Sequence, residues 1–163
     1  MKALLVIDLQ NGVCNQGGQK LWQLPVLIHL VNQRINQYRA QDLPIIFIQH
    51  EDDTLVAGTT DWQLLPELNF MKDDLVIRKS HPNAFYQTDL QYFLKQLQIN
   101  ELEICGAQTE YCIDATVKMA HGLGYQLTMK PGASSTIDNQ FMTAEETRRY
   151  FEWLWGKNFL SYC

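Results

Sequence analysis

A chain of 163 residues with 46% apolar and 19% charged residues has the composition of an ordinary globular protein, and we expect one domain over residues 1–163. Its net charge of −5, without a lysine or arginine cluster, argues against nucleic acid or an anionic membrane as a partner. The first apolar run, Ala3–Ile7, is too short for a signal-peptide core or a spanning helix, and the cysteines have no disulfide-framework spacing. We therefore expect a cytoplasmic protein with free thiols.

Short apolar runs alternate with helical patterns along the chain, which is typical of a parallel sheet covered by helices on both faces. The predicted strands are Ala3–Ile7, Pro44–Ile48, Asp74–Arg78, Leu102–Cys105 and Tyr125–Met129, with a short last strand at Phe159–Tyr162. The predicted helices begin near Pro25, Asp89, Thr109 and Thr143. The expected fold class is α/β, a three-layer α/β/α domain with a Rossmann-like, mostly parallel sheet of five to six strands.

Two charged residues stand at the ends of predicted strands. Asp8 follows the first strand, and Lys79 follows the third. Because the carboxyl ends of parallel strands form the ligand crevice of an open α/β sheet, these side chains are expected to converge. Asp8 either caps a turn or acts as an acid/base group, and Lys79 is either an exposed strand terminus or a cation that steadies an anion.

A cysteine follows the fourth predicted strand at the same edge. Gly106 ends this strand, Thr109 is predicted to cap a helix, and Cys112 then falls in or just before the first helical turn. The helix macrodipole and the unpaired backbone N–H groups there favour a thiolate and an oxyanion. The alternative is a buried thiol that acts as a small hydrophobe. The remaining cysteines, Cys14, Cys105 and Cys163, lack this arrangement.

Three segments carry a resemblance to a known family. They are Leu5–Asn11, Val76–Lys79 and Gly106–Thr116, which together resemble the isochorismatase-like cysteine hydrolases. This family includes nicotinamidases, carbamoylsarcosine amidohydrolase and streptothricin hydrolase. The resemblance covers about residues 1–138.

The resemblance implies an Asp-Lys-Cys triad, with Cys112 as nucleophile, Asp8 as general base and Lys79 as supporting cation. It also implies a cis peptide at Ala107–Gln108, which would aim the Gln108 backbone N–H at the oxyanion beside that of Cys112. We further expect substrate contacts from Gln10, Trp62, Phe85 and Tyr111. Trp62 lies in a long predicted loop, where it is either a core anchor or a pocket wall.

The chain departs from the family pattern in its second strand-end segment. Nicotinamidases carry a metal-binding Asp-x-His there, whereas this chain reads His50-Glu51-Asp52-Asp53. The sequence therefore predicts no metal and no other cofactor, and it does not identify nicotinamide as the substrate. Val13 replaces a frequent aromatic, and Lys130 stands where many relatives have an acidic residue.

The predicted function is a cysteine-dependent hydrolase of a small amide, lactam or carbamoyl C–N bond, acting through a thioester. One alternative is vinyl-ether hydrolysis of the isochorismatase type, and another is a non-catalytic binding member of the family. Nucleotide binding is disfavoured because neither G-x-G-x-x-G nor a P-loop is present. The expected partners are a small-molecule substrate and further copies of the chain, as a dimer or larger homo-oligomer.

Overall fold

A parallel seven-stranded sheet forms the centre of the computed structural model, which describes residues 1–163. The strands are β1 (Lys2–Ile7), β2 (Asn15–Gln16), β3 (Gln19–Lys20), β4 (Ile45–His50), β5 (Leu75–Lys79), β6 (Glu101–Ala107), β7 (Gln126–Met129), β8 (Ser134–Ser135) and β9 (Ser161–Tyr162). The helices are α1 (Asn11–Cys14), α2 (Leu24–Arg39), α3 (Leu90–Gln96), α4 (Asp114–Gly122) and α5 (Ala144–Asn158), with a π-helix at Thr109–Ile113 before α4.

The order of the strands places a crevice beside β1. The sheet runs β5-β4-β1-β6-β7-β9, β8 pairs with β6, and β2 and β3 form a separate antiparallel hairpin. The chain moves outward from β1 to β5 and then crosses to β6. Because parallel crossovers are right-handed, α2 lies on one face of the sheet and α3 and α4 on the other. The predicted α/β fold is confirmed, and the switch point lies at the carboxyl ends of β1 and β6.

The apolar runs of the sequence form the interior. Every residue of Ala3–Ile7 is fully buried, as expected for a central strand covered on both faces. In α5, Thr143 and Glu146 form the predicted capping box, and Trp155 is buried. Trp153 of the same helix is 58% exposed, so only part of the aromatic C-terminal segment packs on the sheet. None of the helices combines the length and apolar character needed to cross a bilayer.

The structure adds local detail to the predicted elements. Residues 54–73, which include the long predicted loop with Trp62, contain turns but no helix. Leu97 follows Gln96, the last residue of α3, and is 39% exposed. The strand β8 was not predicted because its two residues, Ser134 and Ser135, contribute no apolar run.

Candidate active site

The structure brings Asp8, Lys79 and Cys112 into contact. Asp8 follows β1, Lys79 ends β5, and Cys112 lies in the π-helix after β6. The Lys79 Nζ lies 2.6 Å from Asp8 Oδ2 and 3.2 Å from Cys112 Sγ. The side chains of Lys79 and Asp8 are 0% and 1% exposed. A buried ion pair therefore lies directly against the thiol, at the edge of the sheet where the sequence predicts the three residues to meet.

The backbone at this edge is unusually close-packed. Asp8 adopts a left-handed conformation with φ of 50°, which is uncommon for a residue with a side chain. On the neighbouring strand, Gly106 has φ of 130°, and a Cβ atom there would lie 2.1 Å from the backbone oxygen of Ile7. Only glycine fits this position, so β6 approaches β1 closely at the point where the site begins.

Cys112 is held by a wider turn than the sequence predicts. The residue belongs to the π-helix Thr109–Ile113, and the α-helical turn begins only at Asp114. The sequence predicts that Thr109 caps a helix, but Thr109 is the first residue of the π-helix and its hydroxyl donates to Ser134 Oγ at 3.0 Å. The Ala107–Gln108 peptide bond that precedes this turn is cis.

The surroundings of Cys112 favour its neutral thiol, whereas the position at a helix terminus predicts a thiolate. Burial, followed by the neighbouring Asp8 carboxylate, raises the pKa of Cys112 to about 12. Lys79 lowers the same pKa, but its effect is smaller. Attack by Cys112 therefore requires a proton acceptor during the reaction, and the Asp8 carboxylate is the adjacent one.

His50 belongs to the same cluster, although in the sequence it is noted only as part of the segment that departs from the metal-binding motif of nicotinamidases. Its Nδ1 lies 3.2 Å from Lys79 Nζ, and its Nε2 lies 3.1 Å from Asp52 Oδ2. Because an ammonium only donates, Nδ1 accepts from Lys79 and the ring proton sits on Nε2, facing Asp52. Lys79 thus has three acceptors, one for each of its N–H bonds: Asp8, Cys112 and His50.

These residues do not fit a resident metal ion. Donor atoms of Asp8, His50 and Cys112 lie within 4.8 Å of one another, a spacing that a metal could bridge. However, the Lys79 ammonium contacts all three, so it fills the space between them and would repel a cation. Without Asp8 and Cys112, His50 and Asp52 supply only two donors, fewer than the three or four protein ligands of catalytic and structural zinc sites.

A cavity of about 480 Å³ opens over Cys112. Gln108 and Tyr111, two of the residues expected to bind the oxyanion or the substrate, line it together with Val13 and His50. Gln108 is 7% exposed, and its Nε2 is buried without a hydrogen-bond partner. The volume suits a small molecule, and the Cys112 thiol lies in the wall.

Gln10 does not line this cavity, contrary to the prediction. Its Nε2 donates to the backbone oxygens of His50 and Trp62, at 2.9 and 2.8 Å, and its Oε1 accepts from the N–H of His50 at 2.8 Å. The side chain is completely buried and its donors and acceptor are used. Gln10 therefore ties the end of β1 to the end of β4 and to the following loop.

Trp62 and Phe85 also lie away from the cavity. The guanidinium carbon of Arg78 lies 4.9 Å from the ring centroid of Trp62, and Trp62 lines a separate cavity. Phe85 is 8% exposed and packs on the ring of Tyr125 at a centroid distance of 5.8 Å. Both aromatic residues therefore pack against other parts of the fold, and neither lines the cavity over Cys112.

The fold and the site together define an α/β protein whose binding crevice lies at the switch point of its sheet, with a thiol, a carboxylate and an ammonium in contact there. A family model of the isochorismatase domain matches residues 2–154. The chain belongs to the isochorismatase family of hydrolases.

Solved and curated relatives agree with this assignment. A solved isochorismatase family protein is 45% identical, has a TM-score of 0.97, and is matched over 99% of this chain and 97% of its own. The uncharacterized isochorismatase family protein YddQ of Bacillus subtilis (strain 168) is 29% identical, with 91% of this chain and 88% of YddQ covered. Nicotinamidase 3 of Arabidopsis thaliana is 24% identical, with 87% and 77% covered.

Proposed function

We propose that the chain is a cysteine-dependent hydrolase that cleaves a small amide, lactam or carbamoyl C–N bond through a thioester. The observation that carries the proposal is the contact of one buried ammonium, Lys79 Nζ, with both Asp8 Oδ2 and Cys112 Sγ. The similarity to a nicotinamidase, an amide hydrolase by name, supports the same reaction class.

In the proposed acylation step, Cys112 Sγ attacks the substrate carbonyl carbon and the thiol proton passes to Asp8. The Oδ1 atom of Asp8 is buried without a partner, so one carboxylate oxygen is open to receive this proton while Oδ2 remains on Lys79. The oxyanion would accept hydrogen bonds from the backbone N–H groups of Gln108 and Cys112. Asp8 then gives its proton to the leaving nitrogen, the C–N bond breaks, and a Cys112 thioester remains.

In the proposed deacylation step, a water molecule attacks the thioester carbonyl. Asp8 takes a proton from the water and returns it to the departing sulfur, so that a carboxylic acid and the resting thiol are formed. Throughout both steps Lys79 remains an ammonium and balances the negative charge that moves between Asp8 and Cys112. His50 acts as a positioning residue, because it holds the third N–H of Lys79.

The proposed reaction needs no metal ion. The positive charge that a metal would supply beside the thiol comes from Lys79, which is fully buried and cannot be screened by water.

The test compares Cys112→Ala with Cys163→Ala on a panel of small amides, lactams and carbamoyl compounds, with ammonia or amine release as the readout. Cys163 is an exposed free thiol, so its variant is the matched control. We expect Cys112→Ala to lose activity by at least about a thousandfold, as for removal of a catalytic nucleophile, while Cys163→Ala keeps it. Circular dichroism spectra under the assay conditions, together with the unfolding midpoint of each variant, check that both variants remain folded.

Mass spectrometry of a quenched reaction separates the alternatives. A covalent acyl group on Cys112 is expected for amide cleavage, whereas vinyl-ether hydrolysis leaves no acyl group and a binding protein gives neither adduct nor product. Full turnover by Cys112→Ala would overturn the proposal.

A further inference from the structure

The cavity over Cys112 has carboxylates in its wall but neither lysine nor arginine. The acidic side chains among its lining residues are Asp8, Asp52 and Asp61. Lys79 balances the charge of Asp8 from behind the wall, at 2.6 Å. Asp52 contacts His50 Nε2 at 3.1 Å and no lysine or arginine, and none of the ion pairs of the structure contains Asp61. A ligand that enters the cavity therefore meets an excess of negative charge.

Asp52 is held in a fixed position and stays ionised. Its Oδ1 accepts from the N–H and hydroxyl of Thr54 and from the N–H of Leu55, at 2.7 to 2.8 Å. These hydrogen bonds, the Thr54 hydroxyl first, hold the pKa of Asp52 well below its usual range. The Asp52 carboxylate is therefore negative near neutral pH. Its hydrogen bonds to Thr54 and Leu55 also close the turn that these residues form.

The backbone around Asp61 is tied to the segment that follows Asp8. The Asp61 carbonyl accepts from the N–H of Gly12 at 2.8 Å, and the carbonyl of Thr60 accepts from the Asn11 side chain at 2.9 Å. A Cβ atom at Gly12 would lie 3.0 Å from the Asp61 Cβ, so these two segments are in close contact. The backbone that carries the Asp61 carboxylate is therefore held against the segment that follows Asp8.

An independent feature of the wall points to a polar ligand. The Gln108 side chain is more than nine-tenths buried, lines the cavity, and leaves its Nε2 without a partner. A buried amide nitrogen without an acceptor is unfavourable in the empty site, so a ligand oxygen that accepts from it would stabilise the complex.

We propose that the substrate of this hydrolase is a small cationic amide, with an ammonium or guanidinium group that faces Asp52 and Asp61 and an oxygen that accepts from Gln108 Nε2. The inference rests on the proposed function, since it assigns the substrate class of the same site. It makes Asp52 and Asp61 specificity-determining residues. An anionic substrate, such as a dicarboxylate, meets like charge in the cavity wall and is disfavoured.

The charge of the cavity is measured first without any substrate. Cys112 is labelled with aminoethyl, methyl and sulfonatoethyl methanethiosulfonates, which are cationic, neutral and anionic, at low ionic strength. The rate at Cys112, read by peptide mass spectrometry, is divided by the rate at a small free thiol. We expect the cationic reagent to react at least about tenfold faster than the anionic one after this correction.

The variants Asp61→Asn and Asp52→Asn should each lower this cation-to-anion ratio by about fourfold to twenty-fivefold. A partly exposed ion pair changes an equilibrium by about twofold to fivefold. Each carboxylate attracts the cationic reagent and repels the anionic one, so this factor enters the ratio of the two rates twice. Asp53→Asn is the matched control, because Asp53 is exposed beside Asp52 but does not line the cavity. A ratio near one in the unmodified protein, or an equal loss in Asp53→Asn, would overturn the inference.

Turnover is then compared for γ-aminobutyramide, γ-hydroxybutyramide and succinamate, three primary amides of similar length with cationic, neutral and anionic ends. We expect kcat/KM to fall in that order and Asp61→Lys to reverse it. Cys112-dependent hydrolysis without a charge preference would overturn the inference while the proposed function stands. A strong reagent preference without amide hydrolysis by any member would leave the charge of the site intact and count against the hydrolase.

Discussion

Replacing Lys79 with methionine should destabilise the protein far more than removal of an ordinary ion pair. The Asp8 carboxylate is 1% exposed, its Oδ1 has no partner, and Lys79 Nζ is the donor to its Oδ2. Lys79→Met therefore leaves a buried carboxylate with both oxygens unpaired. Breaking a buried pair in this way costs about 3–5 kcal/mol, out of a total unfolding free energy on the order of 5–15 kcal/mol.

The Asp8→Asn/Lys79→Met double variant isolates the charge from the packing. It removes both charges, and asparagine tolerates the left-handed backbone at position 8 about as well as aspartate does. We expect the double variant to recover most of the lost stability. The assay is urea unfolding at pH 7 followed by tryptophan fluorescence, with an unchanged denaturant slope as the sign of two-state behaviour.

Lys118→Met provides the matched control. Lys118 pairs with Asp114 at 2.7 Å, but its side chain is 44% exposed. The same substitution there should cost only about 0.3–0.5 kcal/mol. A loss below about 1 kcal/mol in Lys79→Met, or a double variant as unstable as Lys79→Met alone, would refute the reasoning that an unpaired buried charge dominates.

Three further outcomes follow from the geometry of the site. Because the raised pKa keeps Cys112 protonated, its alkylation by iodoacetamide should be slow at pH 7 and still be rising at pH 10; a plateau below pH 8 would contradict this. His50→Ala should lower kcat about tenfold with little change in KM, and His50→Gln, which keeps an acceptor for Lys79, should restore part of it. Gly106→Ala should lower the urea midpoint sharply, since its Cβ would overlap the Ile7 backbone, whereas Gly122→Ala, with open space around it, should not.

The positions of the candidate site residues Asp8, Lys79 and Cys112 could be predicted because they depend mainly on strand ends. A buried parallel strand is a continuous apolar run, and its last residue necessarily reaches the carboxyl edge of the sheet. Asp8 follows such a run directly, and Lys79 ends the edge strand β5 after Arg78, so their meeting required only the correct fold class. The position of Cys112 after β6 follows from the same argument, whereas the π-helical turn that holds it does not.

The pocket wall could not be predicted in the same way, because it depends on contacts between distant segments. Nothing near Gln10 in the sequence indicates that its amide pairs with backbone groups 40 and 52 residues away. The directions of Trp62 and Phe85 likewise depend on the paths of irregular loops. The cap predicted at Thr109 assumed α-helical geometry, which the π-helix does not have.

The contacts of Lys79 with Asp8 and Cys112 form only when β5 pairs with β4 in the correct register. Lys79 lies 71 residues from Asp8 and 33 residues from Cys112 in the chain, and it reaches them from β5, beyond β4. Side chains alternate between the faces of a strand, so a one-residue slip of β5 against β4 would turn the Lys79 side chain to the opposite face. Such a protein could keep its helix content and its compactness while the thiol lost its cation. Reactivity at Cys112 should therefore return last on refolding, after the spectroscopic signals of secondary structure.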